Sequence, residues 1–162
     1  MKIGGLFYKG TGDYDHTLVY QLAKSFKLSC KLIETRFDEI PEEIVKKDSV
    51  QCFLSVTANT NLALSCELIL KALILKHNNE KAMGHNLSKL VKKLDTTMQK
   101  DIEMKVISSW TDSKNPLNNY QQRLDENSRA FEKLRYLYEG NIGYSFTFLS
   151  IFNDVLFSTY EK

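Results

Sequence analysis

The sequence predicts an all-α protein, an antiparallel helical bundle of about five or six helices in a single domain. Three observations lead there. Only 7 glycines and 2 prolines punctuate 162 residues, so helices are long and loops few. No segment alternates apolar and polar residues with the period of two that a half-buried strand requires. Between Val50 and His77 runs a stretch that is Leu, Ile or Ala on nearly every side, the pattern of a helix in the middle of a bundle.

Residues 1–49 read as an N-terminal extension and helix, and residues 50–160 as the core of the same domain. The Gly-rich segment 1–13 is irregular. Its KGTG lacks the order and spacing of a phosphate-binding loop and reads as a turn. Asp13 or Asp15 caps a helix on which Tyr14, Leu18, Leu22 and Phe26 recur every four residues, running to about Arg36. Pro41, followed by Glu42 and Glu43, has the form of a helix start. The apolar helix Val50–His77 follows, either separate or continuous with that start. A polar loop leads from Asn78 to Gly84. Asn86 then caps a helix with Leu87, Leu90, Val91 and Leu94 on one face and Lys89, Lys92 and Lys93 on the other.

Asp95 and Thr96 end that helix and cap the next, where Met98, Ile102, Val106 and Trp110 stand four apart. Residues 111–119, TDSKNPLNN, are the clearest loop. Leu117, Tyr120, Leu124, Asn127, Phe131, Leu134 and Tyr138 then step by three and four, a heptad-like seam. Asn127 is its one polar member. It is either a buried amide that fixes the register of packing or part of a site. Gly140 and Gly143 bracket a break, and a last helix from about Tyr144 to Tyr160 carries Phe148, Phe152, Val155 and Leu156 on its core side.

Composition narrows the function classes. At 43% hydrophobic and 26% charged the chain has the makeup of a soluble globule, and a net charge of +2 does not by itself mark a nucleic-acid binder. Cys30, Cys52 and Cys66 are widely spaced and form no C-x-x-C pair, which fits reduced thiols in a cytoplasmic protein. The N-terminus lacks a signal-peptide apolar region. No uncharged apolar run reaches the roughly 18 residues of a spanning helix, because Glu67 and Lys71 interrupt the best candidate, so no membrane association is expected. The absence of any E-x-x-H motif argues against a metal-dependent hydrolase in a helical bundle. No metal or other cofactor is expected.

Two motifs together resemble a known family. NLALSCELILKALIL followed by GHNLSKLVKKL is similar to the E-L-x-L-K-A-L … G-H-x-L-x-x-L core of HEPN-type domains. AFEKLRYLYEG, residues 130–140, looks like the A-F-x-x-[LW]-R-Y-x-Y-E segment of one branch of that group. The resemblance covers roughly residues 50–160. It implies a bundle with a long antiparallel helix pair, commonly a homodimer. It also implies action on RNA in a toxin–antitoxin or phage-defence setting, with a cognate antitoxin or nucleotidyltransferase as partner. Catalytic members carry an Arg followed four to six residues later by His. Here Tyr136, Tyr138, Glu139 and Gly140 follow Arg135, and none of His16, His77 and His85 follows an arginine at that spacing. The metal-independent ribonuclease motif of the family is therefore absent, which points to a degenerate ribonuclease.

The residues themselves still offer chemistry. Metal-independent RNA cleavage needs a group to take the 2′-hydroxyl proton and a cation to steady the phosphorane. Arg135 can bind phosphate in bidentate fashion. His85 is the best acid/base, at a helix start that also attracts anions. Tyr138 or Glu139 completes a catalytic set if the two motifs face each other. Glu67 and Lys71 mark either a functional pocket or a satisfied polar seam, since an unpaired buried charge is costly. Glu67 can also bridge to Arg135 across helices. The cluster Lys89, Lys92 and Lys93 is either a solvated face or a stripe of phosphate contacts. The competing function is a non-enzymatic helical module that binds a partner protein or a nucleotide, its charges mutually satisfied.

Overall fold

The computed structural model describes residues 15–37, 39, 41, 43, 50–110, 119–136 and 144–162. The helical segments among them are α1 (His16–Phe37), α2 (Val50–Asn78), α3 (Leu87–Val91), α4 (Thr96–Ser109), α5 (Tyr120–Glu126), α6 (Ala130–Arg135) and α7 (Phe146–Tyr160). No strand occurs among the described residues. The architecture is the all-α bundle that the sequence predicts.

α2 is the axis. Leu62, Ala63, Cys66, Ile69, Leu70, Ala72, Leu73 and Ile74 are all buried, which covers nearly every direction around the helix. It needs apolar neighbours on all sides and finds α1, α7, α6 and α3. α1 runs antiparallel to it, pinned where the Ser65 hydroxyl donates to the Ala23 carbonyl at 2.8 Å. α7 runs parallel to α2: Asn59 reaches Tyr144, Asn153 reaches Ser65, and Lys76 reaches the carbonyl of Tyr160. The segment Leu54–Asn78 is long and apolar enough to cross a membrane by length and composition, and 67% of its apolar window is buried inside the protein. A central bundle helix has that same composition.

Two expectations need correction. Leu18 and Leu22 do not face the core: they are exposed, as are Leu28 and Leu32, and Phe26 is half-buried. The inward side carries Tyr20, Ala23 and Cys30: Tyr20 stacks on Tyr160 of α7, and Ala23 meets Ser65 of α2. The helix has apolar residues on two sides, so a four-residue repeat does not tell which side is inside. The heptad-like seam is not one helix either. Its members Tyr120, Leu124, Asn127 and Leu134 are buried and Phe131 half-buried, but the backbone turns at residues 127–129 between α5 and α6. Leu117 and Tyr138 lie outside the described residues, as do Tyr14, most of the segment from Pro41 to Lys47, the loop 111–118 and the glycines 140 and 143.

Asn127 explains the turn. Fully buried, it ends α5, donates from Nδ2 to the Arg123 carbonyl at 2.8 Å, and accepts at Oδ1 from the Ser145 amide at 2.7 Å. Ser145 in turn caps α7 through the Phe148 amide. One side chain thus closes one helix and aligns the start of another.

Candidate functional site

The polar cluster in the bundle begins one turn apart on α2. Glu67 is 2% exposed and accepts from the Lys71 ammonium at 2.6 Å; Lys71 is 21% exposed. The i, i+4 spacing with the acid first is the favourable order on a helix. A buried carboxylate needs more than one donor, and the second comes from the loop after α2. The His85 Nδ1 lies 3.0 Å from each Glu67 oxygen. An ionised carboxylate only accepts, so Nδ1 carries the proton in this contact. Nε2 has no partner among the described residues, and the imidazole is 47% exposed.

The loop reaches Glu67 because two residues reverse the chain. Asn79 has φ 52° and Gly84 φ +90°. At Gly84 an added Cβ would meet nothing within 4 Å, so the dihedral angle alone favours glycine there. Asn86 follows as the N-cap of α3, accepting from the Lys89 amide at 2.9 Å. The same residue touches the α5–α6 turn: Asn86 Nδ2 lies 3.3 Å from the Ser128 hydroxyl, and the Leu87 amide donates to the Ser128 carbonyl at 2.8 Å. These bonds carry α6 up against the histidine.

On α6, Phe131 is the shared wall. Its ring centroid lies 5.9 Å from that of His85. On the same ring, the Arg135 guanidinium sits 5.2 Å from the centroid, and 5.3 Å from that of Tyr136, whose hydroxyl it meets at 3.4 Å. Arg135 is exposed and has no carboxylate partner among the described residues. Two aromatic faces restrict it without neutralising it, and each is worth about 0.5–1 kcal/mol at an exposed position. The bridge from Glu67 to Arg135 is absent; Glu67 is taken by Lys71 and His85. The two motifs do meet, through Phe131 rather than through an ion pair.

The remaining candidates are distributed as follows. Tyr138 and Glu139 lie outside the described residues. Asn127 makes none of the contacts of this cluster; its two bonds are structural. Lys89 and Lys92 are exposed on α3 and just beyond it. Lys93 pairs with Glu80 at 2.6 Å, and its carbonyl accepts from Asn78, so it also ties the loop down. Phe131, Tyr136 and Ser128 belong to the site although no sequence motif marks them for it. The four-residue step from Phe131 to Arg135 is the one local signal, placing ring and guanidinium on one helix face.

Among the described residues, no three His, Cys, Asp or Glu side chains are grouped to hold a metal. The buried thiols are not nucleophiles at neutral pH: burial pushes Cys66 up to about 12 and Cys30 up to about 11. Comparison of the chain with protein-family profiles, curated proteins and solved structures found no match in any of the three.

Proposed function

We propose that this protein binds RNA on the surface formed by His85, Phe131 and Arg135, and that any cleavage it performs runs through His85. The observation that carries the reading is the contact of Glu67 with His85. A carboxylate 2% exposed fixes the tautomer of an imidazole 47% exposed and leaves Nε2 without a partner among the described residues. That arrangement suits an acid/base group, because the buried acid orients the ring and fixes which nitrogen carries the proton. Arg135 supplies a restrained cation for phosphate, and the Phe131 ring offers a face for a base. Lys89 and Lys92, on the helix that His85 precedes, extend the positive surface.

Resemblance to HEPN-type domains supports the RNA assignment and a toxin or defence role, with a cognate antitoxin or nucleotidyltransferase as partner. The missing Arg…His spacing supports a departure from the usual catalytic pair, with Arg135 and His85 drawn from separate motifs. The alternative, a module whose charges merely hold the fold, is favoured by one observation: Lys71 already compensates Glu67.

The test is RNA cleavage by the purified protein and induced expression in a bacterial host, each with His85→Ala and Arg135→Ala. The reading expects growth arrest or cleavage in the wild type and its loss in both variants, with helical circular dichroism showing that both remain folded at the assay temperature. Activity unaffected by either substitution contradicts the assignment.

A further inference from the structure

We infer that the outer face of α1 is a self-association surface that pairs antiparallel with α1 of a second copy of this chain. Four leucines on it stand 42–55% exposed: Leu18, Leu22, Leu28 and Leu32. Single exposed leucines are ordinary, but four aligned along one helix are a patch.

The order of residues points to a second copy rather than to another partner. Leu22 and Leu28 stand three residues either side of Ser25, and Leu18 and Leu32 stand seven either side. An interface on a two-fold axis must be complementary to itself, each residue i meeting j while j meets i. With Ser25 on the axis, Leu18 of one copy falls opposite Leu32 of the other, and Leu22 opposite Leu28. The positions between the leucines on this face, Gln21, Ser25 and Ser29, carry no charge that would have to be buried. Both serines are already satisfied within the helix: the Ser25 hydroxyl donates to the Leu22 carbonyl at 2.8 Å, and that of Ser29 to the Ser25 carbonyl at 2.9 Å. They can lose water without leaving an unpaired group.

The ends agree with the same direction. Asp15, ten residues before the centre, falls at the level of Thr35 and Arg36 of the other copy, an acid toward an arginine twice over by symmetry. Arg36 also holds Glu39 of its own chain, so the contact across the axis is a supplement. A helix of 22 residues is about 33 Å long and about 10 Å wide. Such a contact covers a few hundred Å² per partner, at the low end for specific interfaces. Association is therefore expected to be weak and reversible. This inference does not rest on the RNA reading, which concerns α2, α6 and the loop before α3.

Sedimentation velocity of the full chain over a concentration series tests it. The wild type is expected to shift from monomer to dimer, and Leu22→Lys with Leu28→Lys to weaken the dimer at least ~10-fold. Because both positions are exposed, the variant should keep its helical circular dichroism. An independent check uses Ser25→Cys in the otherwise unchanged chain: mild oxidation should yield a covalent dimer through that position, identified by peptide mapping against the wild type. A wild type that stays monomeric to on the order of 100 μM, a dimer indifferent to the double substitution, or failure of the Ser25→Cys variant to cross-link would each overturn the proposal.

Discussion

A carboxylate such as Glu67 is decided by its donors. Lys71 alone would satisfy one oxygen; His85 shares both, so the acid is compensated from its own helix and from the following loop. Tyr20 shows how the same kind of contact fixes a pH limit. Its hydroxyl donates to Glu161 at 2.6 Å, and this bond, with burial, raises the phenol to about 12. A raised folded value means that the contribution is whole below the unfolded value near 10 and fades as pH rises through about 12. Thermal melts between pH 9 and 12 should therefore show stability falling with pH, and Tyr20→Phe should flatten that fall; identical slopes would remove Tyr20 from the alkaline transition. At this scale the sequence was partly legible. Glu67, Lys71, His85 and Arg135 stand out as charges in apolar stretches or as the few imidazoles. Phe131 as the ring between His85 and Arg135 did not, because an aromatic at helical spacing looks the same whether it faces a core or a cation.

Among the elements, the turn at Asn127 has the clearest consequence. Removing its amide by Asn127→Ala leaves the half-buried Ser145 amide without its partner, while the Arg123 carbonyl keeps only the backbone N–H of residue 127. Urea unfolding should register a loss of about 1–3 kcal/mol; an unchanged midpoint would mean that the Ser145 bond contributes nothing. The end of the apolar helix, read at His77 and found at Asn78, the caps Asn86 and Asp95, and the last helix to Tyr160 were readable because caps and apolar runs are local signals. The break between α5 and α6 was not. A three-and-four step survives across a single helical turn, so side-chain period records the buried line and misses the backbone reversal along it. The orientation of α1 was hidden for a related reason: its solvent side is as rich in leucine as its packed side is in small residues and tyrosine.

For the whole molecule, the bundle follows from scarce breakers and from one helix apolar all round, which can only sit at the centre. That helix holds the two motifs together: α2 supplies Glu67, the loop after it supplies His85, and α6 packs on α2 and supplies Phe131 and Arg135. Whether this assembly serves RNA or only architecture is the central question. The most direct measurement is the equilibrium affinity of the purified protein for a single-stranded RNA at two salt concentrations, with Arg135→Ala and Lys89→Ala compared at matched stability. The account predicts binding that weakens as salt rises, and a loss of about 1–3 kcal/mol on Arg135→Ala if it makes a charge-assisted phosphate contact. No measurable affinity, or binding that Arg135→Ala leaves intact, would contradict it.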